Sequence, residues 1–168
     1  MFANDVEFLK EHVDVIILSD DSGKARVAVV PAYQGRVMTS TADGSDGISF
    51  GWINNDLISS GKLQPHMNPF GGEDRFWMGP EGGQYAIFFA PGTPFDFEHW
   101  QTPAIIDTEP FDVVSKSDTE IVFAKGAKLA NYSGTEFDIR VDRTISLLDI
   151  TSAGKSLGIT FPDDVKLV

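Results

Sequence analysis

The sequence predicts an all-β fold, an antiparallel β-sandwich preceded by one short helix, and three observations lead there. Phe137, Ile139, Val141, Ile145 and Leu147 share one parity, while Asp138, Arg140, Asp142, Thr144 and Ser146 take the other. Period two over that length is a long strand with one buried face, broken only by Arg143. Elsewhere, short apolar runs are punctuated by Asp, Ser and Gly clusters. Strands do not alternate regularly with helices, which argues against a parallel sheet.

Taken in order, Met1 to Val13 reads as the single helix. Asn4 and Glu7 have capping-box spacing, and Val6, Leu9, Lys10 and Val13 form a stripe with one polar member. Val15–Leu18 and Ala25–Val30 flank the turn cluster Asp20-Asp21-Ser22-Gly23 and predict a hairpin. Gly35–Thr41 and Gly47–Ile53 form a second expected pair. Phe111–Val114, Glu120–Phe123 and Lys128–Tyr132 are shorter neighbours of the long strand. Ser156–Phe161 and Val165–Val168 read as final strands interrupted by Pro162-Asp163-Asp164. The last of these would leave an open edge, to be covered by a partner, as in a homo-oligomer, or by the rest of a longer protein. No repeat or low-complexity tract divides the chain, so residues 1–168 are expected to form one domain.

Composition narrows the partners. The formal net charge is −12 over 168 residues, which disfavours nucleic acid and anionic membrane surfaces, because both are bound through Lys and Arg. Neutral ligands meet no such barrier. The absence of cysteine rules out disulfides and thiolate metal sites and leaves cytoplasm and periplasm both open. The acidic N-terminus does not resemble a signal peptide, and no stretch approaches the roughly 20 apolar residues of a membrane helix. A soluble protein without membrane insertion is the expectation.

Chemistry concentrates in residues 51–110, which hold all three tryptophans, two of the three histidines and seven of the nine prolines. Such density predicts long, conformationally defined loops. The segment Asn68-Pro69-Phe70-Gly71-Gly72-Glu73-Asp74-Arg75-Phe76-Trp77 is the sharpest. Its glycines permit positive φ and close backbone approach, and Glu73, Asp74 and Arg75 set acceptors and a forked donor beside aromatics. The plainer reading is a tight turn with a surface ion pair and core aromatics. In Phe95-Asp96-Phe97-Glu98-His99-Trp100-Gln101, alternation suggests a strand. His99 or Glu98 is then a site residue, or His99 is simply satisfied in the core. His66, in the coil after Gln64-Pro65, is a ligand-binding residue, an acid–base group or solvated, and His12 is a solvated helix residue. A metal site from His66 and His99 lacks supporting close His spacing, and no cofactor or metal is expected. Nucleophile-elbow, phosphate-loop and dinucleotide fingerprints are absent. A glycosidase-like pair such as Glu73 with Glu98 would depend on their separation.

The run Asn68–Gln84, with Phe97–Gln101 and Asp107-Thr108-Glu109-Pro110-Phe111, resembles a family of uncharacterised bacterial proteins related in fold to galactose mutarotases (aldose 1-epimerases). The resemblance extends from about Val13 to the C-terminus and rests on Gly-Gly-Glu-Asp-Arg-Phe-Trp and Pro-Glu-Gly-Gly-Gln. It implies a β-supersandwich, here its N-terminal half or a chain completed by assembly, with sugar bound in a groove across a sheet. It implies Arg75 as a sugar-holding arginine and, less directly, His99 as a sugar-holding histidine. The family's acid histidine and base glutamate fall beyond this sequence, so no catalytic residue is assigned. The resulting expectation is carbohydrate binding without catalysis, through Glu73, Asp74, Arg75, Trp77, His66, His99 and Trp100. The alternatives are an active aldose epimerase, using His66 or His99 with Glu73, Glu81 or Glu98, and a structural or interaction domain.

Overall fold

In a computed structural model that describes residues 1–162 and 165–166, the chain opens with helix α1 (Phe2–Lys10). Phe2, Val6 and Leu9 are its buried residues, the stripe that i, i+4, i+7 spacing produces. Met1 is the N-cap and no side chain caps the helix, so the Asn4–Glu7 capping box does not form. Strands β1 (Ile16–Ser19), β2 (Arg26–Val30) and β3 (Arg36–Thr41) follow as an antiparallel sheet in the order β1-β2-β3. The β1–β2 turn is held by Asp20, whose carboxylate accepts from Ser22 Oγ at 2.6 Å and from the Ala25 amide at 3.0 Å.

The expected partner strand at Gly47–Ile53 is not a strand. It touches the sheet through the Phe50 amide, bonded to the Ser40 carbonyl at 3.1 Å, and the Gly51 amide, bonded to Thr39 Oγ1 at 3.1 Å, while Ile53 forms one isolated bridge with Gly71 of a loop. Helix α2 (Asn55–Ser60) comes next. Asn54 caps it by accepting from the Leu57 amide at 3.1 Å, and Gly61 ends it in the left-handed conformation.

The second sheet contains β4 (Asp112–Lys116), β5 (Glu120–Ala130) and β6 (Glu136–Ser146), again antiparallel and in sequence order. Strand β6 is the period-two run. The expected strands at Glu120–Phe123 and Lys128–Tyr132 are largely absorbed into the single strand β5. Helix α3 (Ile150–Leu157) closes the regular structure, capped by Asp149 and stopped at Gly158. The strand expected at Ser156–Phe161 is therefore corrected to the end of a helix followed by coil. Of Val165–Val168, Val165 and Lys166 are coil, and Leu167 and Val168 lie outside the described residues, as do Asp163 and Asp164 of the expected interruption.

The fold class is mixed α/β, which corrects the all-β expectation. Its two sheets have three strands each and neither closes, so no β-sandwich or supersandwich is formed among the described residues. The physical reason lies between β3 and β4. The Pro- and Gly-rich stretch there contributes only α2, two single-turn 3-10 segments (Phe97–His99 and Ala104–Ile106) and loops, and so adds no strand to either ladder. These loops instead fill the space between the sheets. Phe88, Ile105, Ile106 and Phe111 join Leu18, Val27 and Val29 of the first sheet and Ile121 and Phe123 of the second in one apolar cluster. A second cluster, including Leu9, Val30, Met38, Leu57 and Phe70, fastens α1 and α2 to the first sheet. No helix among the described residues is long and apolar enough to cross a membrane.

Candidate functional site

The loop carrying most of the expected site residues is pinned against β3 at its two glycines. Gly71 and Gly72 have φ of +96° and +109°, and a Cβ on Gly71 would lie 2.2 Å from the Trp52 carbonyl oxygen. Only glycine allows that approach, which lets the Gly72 amide donate to the Trp52 carbonyl at 2.7 Å and the Glu73 amide to the Val37 carbonyl at 2.8 Å.

Past this point the loop is tied to the 104–107 turn by Asp107, whose residue is only 3% exposed. Its Oδ1 accepts from the Asn68 amide at 2.9 Å and from Arg75 Nη2 at 2.8 Å, and its Oδ2 from Asn68 Nδ2 at 2.7 Å. Arg75 also donates to the Ile106 carbonyl at 3.0 Å and stacks on Trp77, its guanidinium carbon 4.4 Å from the ring centroid. Burial pushes its pKa down, opposed by Asp107. Arg36 lies deeper still, donating to the Gly71 carbonyl at 2.8 Å and to Gln34 Oε1 at 3.0 Å. Burial, with the charge of Arg75, lowers its pKa to about 10.

A cleft of about 620 Å³ opens between α2, the 64–69 segment that leads into this loop, and the 97–100 turn. Leu57, Pro65, Met67, Pro69, Phe97 and Trp100 supply its apolar wall, and Asn54, Asp56, Ser60, Gln64 and His66 its polar groups. His66 is fixed there. Its Nδ1 lies 2.7 Å from the Trp100 carbonyl oxygen, its own carbonyl accepts from the Thr102 amide at 3.0 Å, and its ring sits 4.6 Å from that of Phe97. A carbonyl oxygen only accepts, so Nδ1 carries the proton. In the neutral form of the ring the lone pair is then on Nε2, which has no hydrogen-bond partner among the described residues. The Gln101 amide is 3.1 Å from the same Nδ1; its oxygen, rather than its nitrogen, is the end that suits a donor. Of the other polar groups, Asn54 is committed to the α2 cap and to the Pro69 carbonyl, and Ser60 donates to the Leu57 carbonyl. The Asp56 carboxylate and the Gln64 side chain have no hydrogen-bond partner among the described residues.

The expected site residues are divided among several places. His66 and Trp100, thirty-four positions apart, are brought together in the cleft. Trp77 is linked to Trp100 through Phe88, at centroid distances of 5.3 and 5.5 Å, and donates to Glu81 at 2.7 Å. Arg75 is occupied by Asp107. Glu73 and Asp74 lie in a separate cleft at β3 and β6, where Glu73 accepts from Ser40 at 2.9 Å and Asp74 accepts from the Val37 amide at 2.8 Å and pairs with Arg143. His99 stands on the 3-10 turn, not on a strand, 2.5 Å from Asp96 at the surface. That hydrogen bond holds the Asp96 carboxyl below the ordinary range. Among the described residues no group of three or more His, Asp or Glu is placed to hold a metal ion.

Sequence reasoning missed Asn54, Asp56, Leu57, Gln64 and Met67. The capping Asn54 and the stop at Gly61 were signals that could have revealed α2 and its cleft-facing residues. Arg143 was visible as the one break in the parity of β6, and it is the residue that reaches across to Asp74.

The elements above define the class, a small mixed α/β domain whose two three-stranded antiparallel sheets are bridged by a structured loop region bearing a cleft. Within that class the chain belongs to a family of unknown function (DUF6786), whose model matches residues 1–168. No curated protein and no solved structure matches the chain. The resemblance to galactose mutarotases is corrected by the architecture, since two separate three-stranded sheets are not a large β-sandwich. The sugar-binding function inferred from it falls too, because no large sheet face among the described residues carries the groove it required.

Proposed function

We propose that the chain is a binding protein for a small organic molecule that combines a flat apolar body with a protonated amine or another hydrogen-bond donor, taken up in the His66–Trp100 cleft. The observation carrying this reading is the Nδ1–Trp100 carbonyl bond, which fixes the imidazole and leaves Nε2 as an acceptor beside an apolar wall. A cleft of about 620 Å³ falls within the range of roughly 300–1,000 Å³ that suits small ligands. Trp100, Phe97, Leu57 and Met67 bury the apolar body. His66 Nε2, Gln64 and the Asp56 carboxylate offer acceptors, and with a net charge of −12 the protein favours a cation over an anion.

Three probes of one shape separate the contributions: benzylamine, benzyl alcohol and benzoate. Their binding is followed through the Trp100 indole and Met67 methyl NMR signals, with the exposed Trp52 indole as the control. Benzylamine is expected to shift the cleft signals with a dissociation constant of about 1 mM, equivalent to about 4.1 kcal/mol or roughly 0.5 kcal/mol for each of its heavy atoms. Benzyl alcohol binds more weakly and benzoate not measurably. His66→Ala weakens benzylamine several-fold. Equal shifts from benzoate, or shifts only at Trp52, would overturn the reading.

A further inference from the structure

Strand β6 is an open edge. It pairs with β5 along all eleven residues, and among the described residues no backbone group of Glu136–Ser146 is hydrogen-bonded to anything else. A straight edge of this length is a template for another strand, and proteins usually block such edges with charge. The charges on the solvent face of β6 run Glu136, Asp138, Arg140, Asp142, all exposed, and their order matters.

We infer that β6 pairs antiparallel with β6 of a second copy, about a two-fold axis through Val141, joining two β4-β5-β6 sheets into one six-stranded sheet. Two independent features select this register. Val141 is the midpoint of Glu136–Ser146, so only this axis aligns every residue of the strand with a partner. It also sets Arg140 opposite Asp142 of the second copy, twice by symmetry, while Asp138 meets Thr144 and Glu136 meets Ser146. An axis at Arg140 opposes Arg140 to itself and Asp138 to Asp142. An axis at Asp142 opposes that carboxylate to itself, and an axis at Ile139 opposes Glu136 to Asp142. A register shifted by an odd number of residues would set one copy's core face against the other's solvent face. Arg140 and Asp142 already pair within one strand at 2.8 Å, so the dimer closes a four-charge ring. On the other face Phe137, 43% exposed, meets Ile145 of the second copy, and Val141 meets itself.

Sedimentation velocity of the full chain over a concentration series tests this with a charge swap. Wild type dimerises. Arg140→Asp and Asp142→Arg each place like charges opposite one another and weaken self-association by about tenfold or more. An equimolar mixture of the two single variants regains dimerisation, because each strand then opposes Asp to Arg, and so does the double variant R140D/D142R. Both side chains are mostly exposed, 70% and 60%, so the variants are expected to fold, which circular dichroism checks. A wild type that stays monomeric, single variants that dimerise as tightly as wild type, or a mixture that does not recover would each overturn the proposal.

Discussion

Replacing Asp107 with alanine should be the most damaging single change in the loop region. The carboxylate accepts three hydrogen bonds, from the Asn68 amide, Asn68 Nδ2 and Arg75 Nη2, and it joins the 68–77 loop to the 104–107 turn. Removing it leaves two Asn68 donors without that partner in the interior and the Arg75 charge without its carboxylate. Breaking a buried charged pair costs about 3–5 kcal/mol. Arg75 keeps the Ile106 carbonyl, and its side chain is 20% exposed, which places the loss near the lower bound, about 3 kcal/mol. For a domain of this size that corresponds to a fall in Tm of roughly 6–12 °C. Asp107→Asn keeps the shape but turns one acceptor into a donor facing another donor, so an intermediate loss of about 2 kcal/mol is expected. Urea unfolding of wild type and both variants measures the differences, with the slope m checked for constancy. If Asp107→Ala fell within about 1 kcal/mol of wild type, the view that this carboxylate anchors the cleft-bearing loop would be wrong.

Two further substitutions test other joints. Gly71→Ala should destabilise by at least about 2 kcal/mol, since it combines a φ of +96° with a Cβ 2.2 Å from the Trp52 carbonyl oxygen, and thermal unfolding would show it. Asp149→Ala removes the acceptor for the Ser152 amide at 2.9 Å and should loosen the helix start, read as faster amide exchange confined to α3 and its flanks.

Local structure was legible where a single physical rule dominated. The stripe Phe2, Val6, Leu9 lies within the expected helix, the Asp20–Gly23 cluster gave the β1–β2 hairpin, and the period-two run became β6. The paired glycines of residues 71–72 do take positive φ and close approach. Helix α3 escaped notice although Ile150, Ala153 and Leu157 recur at helical spacing, because Ser156–Phe161 reads as a strand; its further signal was the cap Asp149 with Ser152 and the stop Gly158. The fold class was misjudged because strand patterns say nothing of how many strands share a sheet, and because α2 and α3, of six and eight residues, lie in stretches read as loop and strand.

The site was harder to read, for a related reason. The His66–Trp100 contact spans thirty-four residues of loop, and its geometry depends on the Asp107 anchor, itself thirty-nine residues from Asn68. Nothing periodic announces such contacts. Aromatic and charged residue types marked the region that carries the His66–Trp100 cleft, but their grouping by type set His99, Glu73 and Asp74, which do not line that cleft, beside those that do.

The central claim is that His66 presents a fixed acceptor to an amine-bearing ligand, and the nitrogen signals of its imidazole report on this directly. With uniformly labelled protein at a pH where the ring is neutral, long-range proton–nitrogen correlation should show His66 protonated on Nδ1 and bare on Nε2, with the Nε2 resonance alone moving as benzylamine is added. A ring protonated on Nε2, or an Nε2 resonance indifferent to the amine, would contradict the account.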